Sequence, residues 1–242
     1  MKIGGTEKSW KYSLSIVTII YLIIFLSLSS FFPGELSHVR GFGQIPGTTQ
    51  KEATLTLFNL INQGSPYQGN KSAPVVLVDF SDLQCKLCQR FVKSTEPQIN
   101  STYVQTGKIA LVFKHLPNRG FDSFPAALAA QCTSEQSKFW PFHNLLYNVQ
   151  GPIDSGWANK DNLKKLASDL PGLDIQKFNL CFDSQKYKSF IENYLTLAHS
   201  LGFTQTPSFI IVKNDGTHPE KIEGPQPFSA FKAVIDKELG FT

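Results

Sequence analysis

Cys85 and Cys88, in the stretch DFSDLQCKLCQRF, stand three residues apart directly after an apolar run. Thiols at that spacing admit three chemistries: half of a zinc site, two inert thiols, or a dithiol built to exchange with disulfides. A tetrahedral zinc site needs four ligands, commonly as two close pairs. The other cysteines, Cys132 and Cys181, are isolated, and neither has a CxxC or HxxxH companion. A reactive pair needs a thiolate, and a free thiol with a pKa of about 8.5 is mostly protonated at neutral pH. A helix N-terminus, with unpaired N–H groups and a partial positive charge, favours the thiolate. Cys85 opens a helical pattern in which Cys88, Phe91 and Val92 share one face. It is therefore the expected attacking and attacked sulfur. Cys88, one turn further in and on the apolar face, is the expected resolving thiol, since a separation of three lets the two sulfurs meet. Lys86 and Leu87 lie between them. A lysine beside Cys85 either supports the thiolate or is a solvated residue on the helix rim.

The elements that must hold this pair follow from hydrophobic patterning. VVLVDF (75–80) is a β-branched run of the kind that makes a buried strand, and KIALVFKH (108–115) is a second strand. Between them the helix from Cys85 should kink or end at Pro97. The first unit thus reads strand, helix, strand, with the CxxC at the mouth of the helix. Residues 121–202 carry helical periodicity and almost no strand signal. SFIIV (208–212) returns to strand, KNDG (213–216) suits a hairpin turn, and a return strand is expected around 221–223. A closing amphipathic helix places Phe228, Phe231, Ile235 and Leu239 on one stripe. Residues 51–63 read as a short helix, and GSPYQGNKSAP (64–74) as a loop.

Upstream, residues 13–32 are SLSIVTIIYLIIFLSLSSFF, without a charge. At about 1.5 Å per residue this segment covers about 30 Å, the thickness of a bilayer's hydrocarbon core. Lys2, Lys8 and Lys11 precede it, so the positive-inside bias sets residues 1–12 in the cytoplasm and everything after the segment outside. A cleaved signal peptide is the alternative, in which case the product is secreted. Residues 33–63 then serve mainly as a linker, rich at first in Gly, Pro and polar residues. The chain's net charge is +4 and no Lys/Arg cluster occurs, which argues against nucleic acid as a partner. With 41% apolar and 17% charged residues, the chain can build a sizeable core.

The order of elements, together with SDLQCKLCQRF, PQINSTYVQTGKIALVFKHLP, QSKFWPFHNLLY, TPSFIIV and EGPQPFSAFKAVID, resembles the thioredoxin fold in its DsbA-like branch. The resemblance runs over about residues 64–239. It implies an α/β thioredoxin fold over residues 64–242 with an inserted helical subdomain at about 121–202, preceded by one transmembrane helix. It further implies a thiol–disulfide oxidoreductase acting outside the cytoplasm on unfolded or thiol-containing exported proteins. A membrane redox partner, quinone-linked in the oxidising direction, would recycle it. The same pair could also serve a reductase or isomerase, and a binding or chaperone module with a structural CxxC is the third reading.

By the same resemblance Thr206–Pro207 is the cis-proline loop, facing the CxxC and offering backbone to an extended substrate. Asp79 matches the family's buried acid, whose raised pKa would let it shuttle protons at the resolving thiol; Asp82 competes for that role. Cys132 and Cys181 are expected to pair, stapling the insertion, as thiols in an exported chain usually do. The resemblance also makes Lys86 and Leu87 the dipeptide that tunes redox poise, in place of the Pro-His pair of the best-known relatives. Neither a metal nor an organic cofactor is implied. His143 reads as an interface or capping histidine, with Trp140 and Phe142 as core.

Overall fold

The structure, a computed structural model, describes residues 64–241. The expected membrane segment at 13–32, the linker and the short helix at 51–63 lie outside the described residues. Among the described residues no helix is long and apolar enough to cross a membrane.

Strand β2 (Val75–Ser81) is buried along its whole length, as its unbroken apolar run requires. It lies at the centre of a five-stranded sheet, parallel to β3 (Ile109–His115) and antiparallel to β4 (Ser208–Lys213). β5 (Glu220–Glu223) pairs antiparallel with β4, completing the hairpin. The opposite edge is β1 (Tyr67–Gly69), antiparallel to β3, so the order is β1-β3-β2-β4-β5. This edge strand corrects the reading of 64–74 as loop. Three residues with little apolar character show no period, and the strand is held by backbone pairing with Ala110 to Val112. Gly69, at φ +86°, also needs its missing side chain, because a Cβ would lie 2.8 Å from Val104 and 2.9 Å from the Ile109 carbonyl.

Successive residues of β2 face opposite layers. Val75 and Leu77 pack with Phe91, Phe209, Phe231 and Ile235 beneath helix α1 (Lys86–Ser94) and the closing helix α8 (Phe228–Leu239). Val76, Val78 and Phe80 pack with Ala198, Phe203 and Ile210 on the other face. Each fully buried Phe contributes on the order of 2 kcal/mol of hydrophobic stabilisation before entropy is counted. Helix α1 ends at Ser94, and Pro97 sits in the first turn of α2 (Glu96–Ile99), where its lacking N–H has no partner to lose. A π-helical turn, Asn100–Val104, then leads towards β3.

The inserted block contains α3 (Ser123–Ser134), α4 (Phe139–Val149), α5 (Lys160–Ser168), α6 (Ile175–Asp183) and α7 (Lys188–Ser200). Its core includes Phe142, Leu146, Phe178 and Leu163, and it reaches Leu83 and Cys88 beside the helix mouth. A disulfide joins Cys132 on α3 to Cys181 on α6, with Cα atoms 5.8 Å apart. His143 differs from its expectation as an interface or capping residue: it is fully buried against Phe113, Phe139 and Tyr147. The α/β fold with inserted helices is thus the thioredoxin-like architecture that the order of elements predicts.

Candidate active site

Where β2 ends, residues 82–85 turn the chain into α1, and Cys85 is the helix N-cap. Its backbone is extended, its N–H donates to the Asp82 carbonyl at 3.0 Å, and its sulfur accepts the Cys88 N–H at 3.4 Å. The sulfur therefore occupies the position of a capping oxygen, at the positive end of the helix. Both cysteines are free thiols; Cys85 is 2% exposed and Cys88 fully buried.

The two thiols are driven in opposite directions. A hydrogen bond from the Cys88 thiol is the largest influence lowering Cys85, to about 5, against the opposing effect of burial. The Thr206 hydroxyl, the Cys88 N–H and the Arg119 charge lower it further. Cys88 is raised well above the ordinary thiol range, first by burial and then by the neighbouring Cys85 and Asp79. Near neutrality the pair thus carries one proton, on Cys88, and one negative charge, on Cys85.

Thr206 and Pro207 meet this pair from the entry to β4, the strand beside β2. Their peptide bond is cis, and the Cys85 thiol donates to the Thr206 carbonyl at 3.3 Å. Arg119 reaches the same residue, with Nε 3.1 Å from Thr206 Oγ1 and Nη2 3.1 Å from the Thr206 carbonyl. Lys86 points elsewhere: its ammonium donates to the Gln150 carbonyl at 3.1 Å. Leu87 is 41% exposed on the helix rim.

Of the two acids, Asp79 is buried in β2 between Phe113 and Phe209 in register, and accepts from the Ser81 hydroxyl. Burial raises it to about 7; Ser81 opposes the rise and the Cys85 charge adds to it. It can hold or release a proton near neutral pH. Asp82 is raised by burial but accepts from Gln84 N (2.7 Å), Asn118 N (2.7 Å), Arg119 N (2.9 Å) and Ser123 Oγ (2.9 Å). With both oxygens engaged, Asp82 ties the approach to Cys85 to the loop after β3. Its two oxygens form a structural clamp.

The insertion is sewn to the same turn. Gln150 donates to the carbonyls of Leu83 (2.7 Å) and Cys85 (3.3 Å), and Tyr147 donates to the Asp82 carbonyl at 3.1 Å. Asp154 bonds to Gln84 through both side-chain and backbone atoms. Arg119, Tyr147, Gln150 and the buried Glu96 escaped the sequence reading. None sits in a motif, and Arg119 meets Thr206 across a separation of 87 residues. Among the described residues no group of three or more His, Cys, Asp or Glu could hold a metal ion.

A buried thiol, an acidified thiol at a helix N-cap and a cis-proline opposite them have the arrangement that thiol–disulfide exchange requires, on a thioredoxin-like fold. The family profile described as Thioredoxin matches residues 61–237, and the chain belongs to that family. It is 29% identical over 174 residues to a probable disulfide bond formation protein D of Bacillus cereus, covering 71% of this chain and 77% of that protein. To disulfide bond formation protein D of Bacillus subtilis it is 26% identical over 179 residues, covering 73% and 78%. Among solved structures, oxidised BdbD from Bacillus subtilis superposes with a TM-score of 0.65 at 26% identity, covering 74% of this chain and 94% of that one. Wolbachia pipientis alpha-DsbA1 gives 0.65 at 28% identity, covering 76% and 96%. Within the family the chain is a DsbA-like thiol–disulfide oxidoreductase.

Proposed function

We propose that this protein donates disulfides to exported proteins from the outer side of a membrane. The observation that carries the direction is the place of Cys85 at the N-cap of α1, its sulfur accepting the Cys88 N–H at 3.4 Å beside Thr206, surroundings that lower its pKa. A thiolate stabilised only in the reduced form makes the disulfide a stronger oxidant. In the oxidised enzyme, a substrate thiolate attacks Cys85 Sγ. The Cys85–Cys88 bond breaks, a substrate–Cys85 mixed disulfide forms, and Cys88 leaves and takes up a proton. Asp79, protonated below about 7, is the group we assign to supply it. A second substrate thiolate then attacks the substrate sulfur, and Cys85 departs as a thiolate. A low leaving-group pKa speeds this step. The substrate has lost two electrons and two protons overall, and the enzyme has gained the electrons as a dithiol.

Extended substrate would lie beside Thr206–Pro207, and a membrane oxidant, quinone-linked in this reading, would restore the disulfide. Residues 13–32 form the anchor, with 1–12 cytoplasmic, 33–63 the tether and 64–242 the catalytic domain. Leu87 and Lys86, whose ammonium bonds the Gln150 carbonyl, are then rim elements of that domain, and the Cys132–Cys181 staple is its scaffold.

One experiment addresses direction and anchorage together. Thiols of the full chain are trapped by alkylation in living cells, and the cells are then fractionated. The expected result is a membrane-bound chain with Cys85–Cys88 mainly oxidised. A mainly reduced pair would assign the chain to the reductase or isomerase direction, and release into the soluble exported fraction would mean the segment is cleaved.

A further inference from the structure

Arg119 is placed by Asp82 and spends its side chain on Thr206. The clamp holds the Arg119 backbone N–H, at 2.9 Å, and the neighbouring Asn118 N–H, at 2.7 Å. Its other oxygen holds Gln84 N, one residue before Cys85. One buried carboxylate thus fixes the loop that carries the arginine and the turn that carries the nucleophile in a single frame. From that frame the guanidinium fork spans Thr206, Nε on the hydroxyl oxygen and Nη2 on the carbonyl, both at 3.1 Å. A rigid planar fork suits such two-point contact, whereas an ammonium would satisfy only one point.

Two consequences follow for the sulfur. The Thr206 carbonyl oxygen stands 3.3 Å from Cys85 Sγ and would repel a thiolate; a guanidinium on that oxygen offsets its negative end. Nε–H also occupies a lone pair of Thr206 Oγ1, which directs the hydroxyl proton away from the arginine, and the Thr206 hydroxyl is among the groups that favour the Cys85 anion. Among the described residues, the other ionisable groups around Cys85 are Cys88 on its own helix, Asp79 on β2, Asp82 in the turn and Tyr147 on α4. Those four are acids. Lys86, the cation adjacent in sequence, bonds the Gln150 carbonyl instead.

We propose that Arg119 is a positioning residue of the redox centre: its guanidinium holds the Thr206 loop against Cys85 and supplies the positive charge that favours the reduced, thiolate form of the pair. This deepens the redox reading of Cys85–Cys88 and rests on it. Removing the charge leaves the thiolate less favoured, so the dithiol holds its electrons less well relative to the disulfide and the enzyme becomes a weaker oxidant.

The test compares the full-length protein with Arg119→Gln and Arg119→Lys. Because Asp82 holds the backbone N–H at 119 rather than the side chain, the loop keeps its anchor in both variants. Thiolate absorbance of the reduced protein is titrated, and the redox equilibrium with glutathione is measured. For Arg119→Gln the expected midpoint rises by about one unit, so that near pH 5 the thiolate fraction falls roughly fivefold. The glutathione equilibrium shifts up to about tenfold towards the enzyme disulfide. Arg119→Lys should recover part of both shifts, since it restores charge without the fork. The proposal is overturned if Gln leaves midpoint and equilibrium unchanged, or if Lys and Gln shift them equally. Failure of the oxidase reading shows separately, as a wild-type protein that transfers no disulfide to a reduced substrate while the Arg119 shifts persist.

Discussion

Burial raises the pKa of Asp79 and of Cys88 alike, and the Asp79 charge raises Cys88 further, because burying two acids together penalises every state in which both are ionised. The carboxyl is consequently poised at about 7 while the thiol lies far above it. Cys88 as resolving nucleophile must lose its proton to something, and the ionised Asp79 is the base that burial has tuned for the purpose. Asp79→Asn keeps the shape and removes the base. A mixed disulfide between Cys85 and thionitrobenzoate lets the step be watched, since attack by Cys88 releases the coloured thiol. In the wild-type protein the release rate should climb as Asp79 ionises through about pH 7. In Asp79→Asn that climb should vanish and the rate at slightly alkaline pH should drop by about tenfold or more. A variant that retains the wild-type profile would remove Asp79 from the reaction.

Helix α2 carries an acid of a different kind. Glu96 stands in its first turn, buried, and among the described residues its Oε2 has no hydrogen-bond partner. Burial raises its pKa from 4.5 to about 8, and Asp79 adds to the rise. Between those values the unfolded chain has released a proton that the folded chain still holds, so stability falls as pH rises from about 4.5 to about 8 and is level beyond. Glu96→Leu removes that slope. Urea unfolding should show the variant gaining on the wild type with pH across this window, up to on the order of a few kcal/mol at the alkaline end. An equal difference at about pH 5 and about pH 8 would show that Glu96 ionises freely in the folded state. Nothing in STEPQ signals this burial, because the turn is set by how α2 packs beside α8. The same limit explains what else was not legible. β2, α1, β3 and β4 announce themselves through local apolar period, and Pro97 through its missing N–H. β1 is a short backbone-paired edge, and the Arg119–Thr206 contact joins two loops with no pattern of their own. Cys85 and Cys88 were readable from their spacing at the mouth of a helix, and Thr206–Pro207 from the family resemblance alone.

At the scale of the molecule, the sheet brings together segments that lie far apart in the chain: the β2–α1 turn, the loop after β3 and the entry to β4. Together they stabilise a charge that exists only in the folded, reduced protein, so redox state and folding stability must be linked. Cys85 is lowered from 9.0 to about 5 in the fold. For a group whose folded pKa is depressed, stability is full above the unfolded value and is lost as pH falls through the folded one. Reduced protein therefore gains stability across about pH 5 to 9, reaching on the order of 3–4 kcal/mol near pH 8. Against this, the oxidised form has a cross-link in its unfolded chain. A ring of four residues, 85–88, is worth only about 2 kcal/mol in the chain-entropy account and does not vary with pH. Asp79 and Glu96 are present in both forms and largely cancel. The two terms predict that the oxidised protein is the more stable near pH 5 and the reduced protein near pH 8, with the order reversing between. Urea midpoints of the two forms at those pH values measure it. A gap that stays constant with pH would mean that folding does not favour the Cys85 thiolate, and the case for a disulfide donor would lose its physical basis.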